Sequence, residues 1–420
     1  MLNRNNNLLF GVIIFVFFAL FFVVEDRENL LSALFSLSIT IISFKSISTS
    51  GLKTYNVFLL FYFAALFTST FQLSDLQTDT TIYDFYYYFF GPVIFSIVLY
   101  FFENRKNTVV YNKIEVIDVN KLYVIFLVIY LAVKIYIGFK LGWRIDSLKF
   151  GNTYLKSGSE YVIPGVSGFV AIIQWMLLIF APYVKRKYVI VAILAIIVLS
   201  GILHVKRGDI IRVTMFLIIW FIANQLKNKS FSIKKRAKTI FILIFAFLLF
   251  VELGNIRQEA RGTGQSNLKS DIGMVDSPIS IAWFYGYISI NFEVLKHYFQ
   301  LAPTNSPNSI ISLVSQIEDD SEDSRLGYNI NGFNASTFIS GFIKDFGEYY
   351  FLEMLVFGII IGILIIYINK FNFFGCYIFL LSILSMSFFG NYLSSRSIFL
   401  GIVLSIIIYP YLKIKKRINI

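Results

Sequence analysis

Apolar residues run along this chain in long blocks, separated by short polar segments. Twelve blocks approach the roughly 20 residues that a helix needs to cross hydrocarbon; they fall near 8–24, 30–44, 55–71, 85–102, 122–140, 162–183, 188–204, 210–226, 239–253, 350–369, 373–389 and 397–412. A helix satisfies its backbone polar groups internally, as a segment in lipid must. The pattern predicts an all-α polytopic membrane protein of about 12 transmembrane helices. Residues 1–253 hold helices 1–9 with a smaller outer loop at 141–161, residues 254–349 form a large outer loop, and residues 350–420 hold helices 10–12 and a basic tail.

The block from Leu8 to Val24 has the length of a signal peptide but no small-x-small cleavage site, and the charged stretch 25–29 follows it. It reads as a retained first span. Within the large loop, Ala282 to Gln300 places Trp283, Tyr287, Ile290 and Val294 at helical spacing. That reads as an amphipathic helix lying on the membrane surface or capping a cavity.

Composition agrees with the pattern: 57% of residues are hydrophobic and 15% charged, too apolar for a soluble surface of this size. The single cysteine, Cys376, excludes an intramolecular disulfide and a cysteine zinc site. The net charge of +12 would suit nucleic acid if it formed one patch, but it sits in short segments between apolar blocks. Lys185, Arg186 and Lys187, the segment 227–238 and the tail 413–417 are basic without acids and fall on one side. By the positive-inside rule that side is the cytoplasm, with both termini there. Nucleic acid is therefore not an expected partner.

Some cations break this rule. Residues 204–212, HVKRGDIIR, form an outer turn, and Lys206, Arg207, Arg257, Arg261 and Arg396 also fall on the outer side. Most are arginines, whose planar fork binds phosphate oxygens bidentately. They read as a basic outer cavity for a lipid diphosphate; the alternative is pairing with acids such as Asp209, Glu252 and Glu259, or with anionic lipid. His297 lies four residues after Glu293, so the two share a helix face, and a carboxylate orienting an imidazole makes a general base. An ordinary interfacial histidine fits the same position, and His204 competes for the role. Asp345, Glu348 and Glu353 are spaced at about one helical turn before and within the tenth block, with Gly347 between them. An ionisable group inside the membrane boundary usually has a purpose, although an acidic first helical turn would look alike. The acidic run 318–323 lacks EF-hand spacing and reads as a solvated loop.

There is no P-loop, HExxH or GxSxG. Without a nucleotide motif or a cytoplasmic domain, a substrate must reach the outer side already energised, and a lipid-linked diphosphate meets that condition. No metal or other cofactor is expected.

With loops 141–161 and 254–349, Arg207 in KRGDIIR, Arg257 and Arg261 in NIRQEARG, and Asp345-Phe346-Gly347 before a late span, the chain resembles the Wzy-type O-antigen or oligosaccharide repeat-unit polymerases of bacteria. No Arg here has a Gly eleven positions on, so the Arg-x10-Gly pattern of some members is missing. The resemblance implies a GT-C-like fold in the bacterial inner membrane and glycosyl transfer at the periplasmic face. Undecaprenyl-diphosphate-linked glycans would be donor and acceptor, and a chain-length regulator protein a candidate partner. Arg207, Arg257, Arg261, Arg396 and Lys206 would hold the diphosphate; His297, Glu293, Asp345 or Glu348 would take the hydroxyl proton. A polysaccharide ligase, a glycosyltransferase using a lipid monophosphate donor and a flippase are the competing readings. The acidic pair expected of the second is imperfectly matched by 25–28, and the two similar halves expected of the third are not detected.

Overall fold

The computed structural model describes residues 28–104, 119–143, 163–203, 207–228, 273–299, 303–314 and 337–418, with a few single positions between 248 and 269; Arg207 and His297 are described by backbone alone. The blocks expected at 8–24 and 239–253 lie wholly or largely outside these residues, as does nearly all of the loop expected at 141–161.

Among the described residues every element is helical: α1 Glu28–Ser50, α2 Thr54–Ser69, α3 Ile82–Asn104, α4 Asn120–Leu141, α5 Val166–Phe180, α6 Arg186–Ala195, α7 Arg207–Asn228, α8 Ile279–Tyr285, α9 Asn291–Tyr298, α10 Asn308–Ile311, α11 Ser340–Phe346, α12 Tyr350–Phe371, α13 Phe374–Leu384 and α14 Arg396–Ile418. Helix α6 continues as a π-helical stretch, Ile196–Ile202, and a second one, Gly286–Ile290, joins α8 to α9. Six helical stretches are long and apolar enough to cross a membrane: Glu28–Ser50, Ile82–Asn104, Asn120–Leu141, Val166–Tyr183, Gly208–Leu226 and Ser340–Phe371. Their outer faces agree with that reading. Leu30, Leu34, Ile41 and Phe44 on α1, Ile125, Val128 and Phe139 on α4, and Leu352, Val356 and Ile363 on α12 are all exposed. In water each such face would forfeit about 25 cal/mol per Å² of apolar area, and lipid removes that cost. The chain is a membrane-embedded, polytopic helical protein.

Helix α13 is the centre of the bundle, buried along its whole length. It reaches that position through a small residue: a side chain at Gly375 would collide with the Ile179 carbonyl of α5. Helices α3 and α12 also pack through glycine. Gly91 faces Tyr350, Gly358 faces Phe95 and Val98, and Gly362 faces Phe102, so the two helices run parallel. Where the hydrophobic effect between helices is weak, such close backbone approach supplies the packing energy. Pro92 lies inside α3, and the Tyr350 hydroxyl is inserted beside it, accepting from Gly91 N (2.8 Å) and donating to Tyr87 O (2.9 Å). The ladder opened at the proline is thus resatisfied by a neighbouring helix.

These contacts define two ends. At one, Glu103 meets Thr54 and Tyr377, Lys185 N donates to Asn120 Oδ1 (3.1 Å), and Tyr409 stacks on Phe373 (3.9 Å between ring centroids). At the other, segments 273–299, 303–314 and 337–349 pack on the bundle; we call this the loop-bearing end. The helix expected over 282–300 forms, but it does not lie on a surface. Phe292 and Leu295 join the main core, while Trp283, Tyr285, Ile290 and Val294 form a second cluster with Met274 and Val251. A π-helical stretch, Gly286–Ile290, interrupts the helix, and residues 291–295 after it are all buried, contributing to both clusters.

Candidate functional site

The loop-bearing end is organised by the turn between α13 and α14. A short 3-10 helix, Tyr392–Ser394, is capped by Asn391, whose Oδ1 accepts from Ser394 N (3.3 Å). Each residue around it holds a different part of the chain. Ser387 O accepts from Phe338 N (2.7 Å) and Phe388 O from Asn291 Nδ2 (3.1 Å). Phe389 stacks on Tyr287 (5.1 Å) and on Tyr392 (6.0 Å). Ser394 O accepts from Ser312 Oγ (3.2 Å), and Ser397 Oγ accepts from Trp175 Nε1 (3.3 Å).

Arg212 of α7 enters this turn from the side. Its guanidinium lies over the Tyr392 ring (4.3 Å to the centroid) and the Trp175 ring (5.3 Å). Asp209, one helical turn earlier, accepts from its Nη1 at 2.7 Å. Asp209 is itself fixed by Ser200 Oγ (2.7 Å), which in turn accepts from the buried Lys134 Nζ (3.2 Å). The result is a cation held in one orientation, with a buried Nε–H that has no acceptor among the described residues. Leaving such a donor unmet costs about 1–3 kcal/mol, and the Tyr392 hydroxyl is a polar group beside this guanidinium. Burial pushes the Tyr392 hydroxyl up to about 12 against the opposing pull of Arg212, so it remains a neutral donor and acceptor.

On the opposite flank of the turn two carboxyls meet. Gly347 adopts φ +54°, a left-handed conformation that breaks the helix between α11 and α12. That break brings Asp345 against Glu353 through a side-chain hydrogen bond and turns Glu348 outward, exposed. Both members of the pair are buried, at 2% and 3% exposure, so their charge cannot be relieved by water. Asp345 Oδ2 accepts from Ser309 N (2.6 Å) and Glu353 Oε1 from Ile310 N (3.3 Å). Glu353 Oε2 is buried without a donor among the described residues.

A third polar group closes the same end. Lys296 Nζ pairs with Glu293 Oε2 (3.1 Å), approaches Asp84 Oδ2 (3.8 Å) and donates to Thr78 O (2.9 Å) and Thr78 Oγ1 (2.8 Å). Glu293 Oε1 accepts from Thr78 Oγ1 (2.8 Å). Nearby, Tyr285 donates to Gln77 Oε1 (2.5 Å), and burial raises its pKa. These contacts latch segment 70–81 onto α8 and α9.

Of the residues singled out from sequence, Glu293, Asp345, Glu348 and Arg396 are described, all at this end; Arg396 is exposed at the head of α14. Both oxygens of Glu293 are occupied by Thr78 and Lys296. The side chains of His297 and Arg207, and the residues His204, Lys206, Arg257, Arg261 and 318–323, lie outside the described part. Sequence reasoning held Arg212 within the basic stretch 204–212 without singling it out, and passed over Tyr392. The Asp209-to-Arg212 spacing of three was a usable signal, since such pairs share a helix face; nothing local marked Tyr392. Among the described residues no three His, Cys, Asp or Glu side chains converge as a metal site. No family model, curated protein or solved structure matches the chain.

Proposed function

We propose that this protein is a glycosyltransferase of the membrane that joins undecaprenyl-diphosphate-linked oligosaccharide repeat units at the periplasmic face, building an O-antigen or capsular polysaccharide. The observation that carries the reading is Arg212: a guanidinium oriented by Asp209, flanked by Trp175 and Tyr392, with a buried Nε–H in need of an acceptor, at the end of the bundle where the long loop packs. Such a group stabilises charge that develops on a diphosphate leaving group without reorganising. Arg396 at the same end adds a solvent-accessible cation. The transfer also needs a base for the acceptor hydroxyl. Asp345 and Glu293 are buried and hydrogen-bonded, so Glu348, the exposed carboxylate beside the Gly347 break, suits that role best among the described candidates. The basic segments around Lys53, Lys185 and Lys370 lie at the other end, which we assign to the cytoplasm of a bacterial inner membrane.

The test is polymerisation in vitro from a purified undecaprenyl-diphosphate repeat unit. Chains of several units from the wild type, and single units from Arg212→Ala, are expected. Transfer of the glycan to a different acceptor, with no chain growth, would instead identify a ligase. Movement of the unchanged lipid between leaflets would identify a flippase.

A further inference from the structure

Segment 303–314 crosses the loop-bearing end as a strap, and almost everything that holds it comes from the end of α11 and the start of α12. Thr304 N donates to Lys344 O (3.0 Å) and Asn305 N to Asp345 O (2.8 Å). Ser309 N and Ile310 N donate to the Asp345 and Glu353 carboxyls. At its other edge Ser312 reaches Ser394, two residues from the Tyr392 ring that lies against Arg212. Docked, the strap ties the carboxyl pair to the turn that carries the arginine.

The anchor has a missing part. Two carboxyls in side-chain contact, both more than nine-tenths buried, include an oxygen, Glu353 Oε2, for which the described residues offer no donor. Two contacting carboxylates repel unless one carries a proton. A proton between them supplies the absent donor and leaves an acceptor on each for the strap's N–H groups. We propose that a proton shared by Asp345 and Glu353 holds strap 303–314 over the loop-bearing end, and that its loss releases the strap.

Among the described residues no other charge takes over this role. The strap has no titratable side chain. On the packed elements, α9 brings Glu293 and Lys296 and α3 brings Asp84, which are engaged with one another. Helix α3 also brings Tyr86, Tyr87 and Tyr88, and Tyr350 of α12 is spent on Gly91 and Tyr87. Lys344 lies on α11 itself, Glu348 and Tyr349 are exposed, and Arg396 heads α14 on the exposed side of the turn.

The experiment is hydrogen–deuterium exchange of the full chain in detergent, read at Ser309 and Ile310 as protection relative to α13, between about pH 5 and about pH 9, a window that brackets carboxyl pairs of this kind. No substrate is present, so the result is independent of the polymerase reading. Wild-type protection at the strap is expected to fall at least about tenfold as pH rises, while α13 keeps its own. In Glu353→Gln the amide donates to Asp345 at every pH, so protection is expected to stay flat. Asp345→Asn is the mirror variant, should the first fail to fold. Wild-type protection that does not change with pH overturns the proposal, as does an equal loss in wild type and either folded variant.

Discussion

Removing the Glu103 side chain tests how a buried carboxylate holds the end of the bundle away from the loops. Thr54 begins α2, and Lys53 before it makes no side-chain cap. The first turn is capped from another helix instead: Glu103 Oε2 accepts from Thr54 N (3.0 Å) and Thr54 Oγ1 (2.8 Å). Its Oε1 accepts from the Tyr377 hydroxyl, which also reaches Leu52 O (2.8 Å). A carboxylate at a helix N-terminus is additionally favoured by the dipole. Burial lowers the pKa of Lys53, and Glu103 acts against that shift, so the pair is coupled. Glu103→Ala leaves the two Thr54 donors unmet, while the Tyr377 hydroxyl keeps Leu52 O. At about 1–3 kcal/mol for each buried orphan the cost would be large, whereas polar pairs in membrane proteins average about 0.6 kcal/mol. The bracket is roughly 2–5 kcal/mol, with Glu103→Gln and Tyr377→Phe at about 1–2 kcal/mol. Cys376 supplies the assay. It is the one cysteine of the chain, fully buried, and adjacent to Tyr377. A thiol-reactive dye then reports opening at this end. At 1.36 kcal/mol per tenfold, Glu103→Ala should speed labelling by about 30-fold to a few thousandfold. Glu103→Ala combined with Tyr377→Phe should cost less than the sum, because the two share a bond. Labelling of Glu103→Ala at the wild-type rate would refute the clamp.

Other substitutions probe the packing and the site. Gly91→Ala would drive its methyl into the Tyr350 ring and Met354, costing about 1–3 kcal/mol in thermal unfolding, whereas Gly168→Ala on α5 meets open space and should gain about 0.5–1 kcal/mol. Arg212→Lys keeps the charge but loses the planar fork and the ring contacts, so in vitro chain extension should drop at least about tenfold with normal expression; unchanged extension would remove Arg212 from the site. Gly347→Ala places an L-residue at φ +54°, costing about 1–2 kcal/mol, and should separate Asp345 from Glu353, seen as weaker strap protection. Tyr392 has a folded pKa of about 12 against an ordinary 10.0, so its contribution to stability is complete below pH 10 and is lost as pH rises through about 12. Alkaline unfolding of Tyr392→Phe should lack that component.

The blocks of apolar residues anticipated helices such as α3, α4 and α12 to within a few positions, because lipid imposes one length on every span. The same rule made α13 legible as a helix but not as the core, since an all-apolar helix looks alike whether lipid or protein surrounds it. The segment after 282 was readable as a helix, yet its burial comes from packing against two separate clusters, which periodicity does not signal. At the site, Gly347 marked a local irregularity, but the contact it creates joins positions eight apart, which a straight helix would hold about 12 Å from each other along its axis. The pairing of Arg212 with Asp209 was local and readable; its placement on Tyr392 depends on a turn 180 residues away along the chain.

The break at Gly347 also sets depth. The apolar stretch Ser340–Phe371 counts 32 residues and, as one straight rod, would extend about 48 Å at 1.5 Å per residue. That overshoots a hydrocarbon layer of about 30 Å, and the mismatch would have to be absorbed by tilt or by deforming the bilayer. Breaking the rod leaves α12 with 22 residues, about 33 Å, which fits. Glu353 then lies only three residues past the start of α12, near the surface of the hydrocarbon and far from its midplane. At that level water can deliver or remove a proton, while the strap above decides whether it reaches the pair.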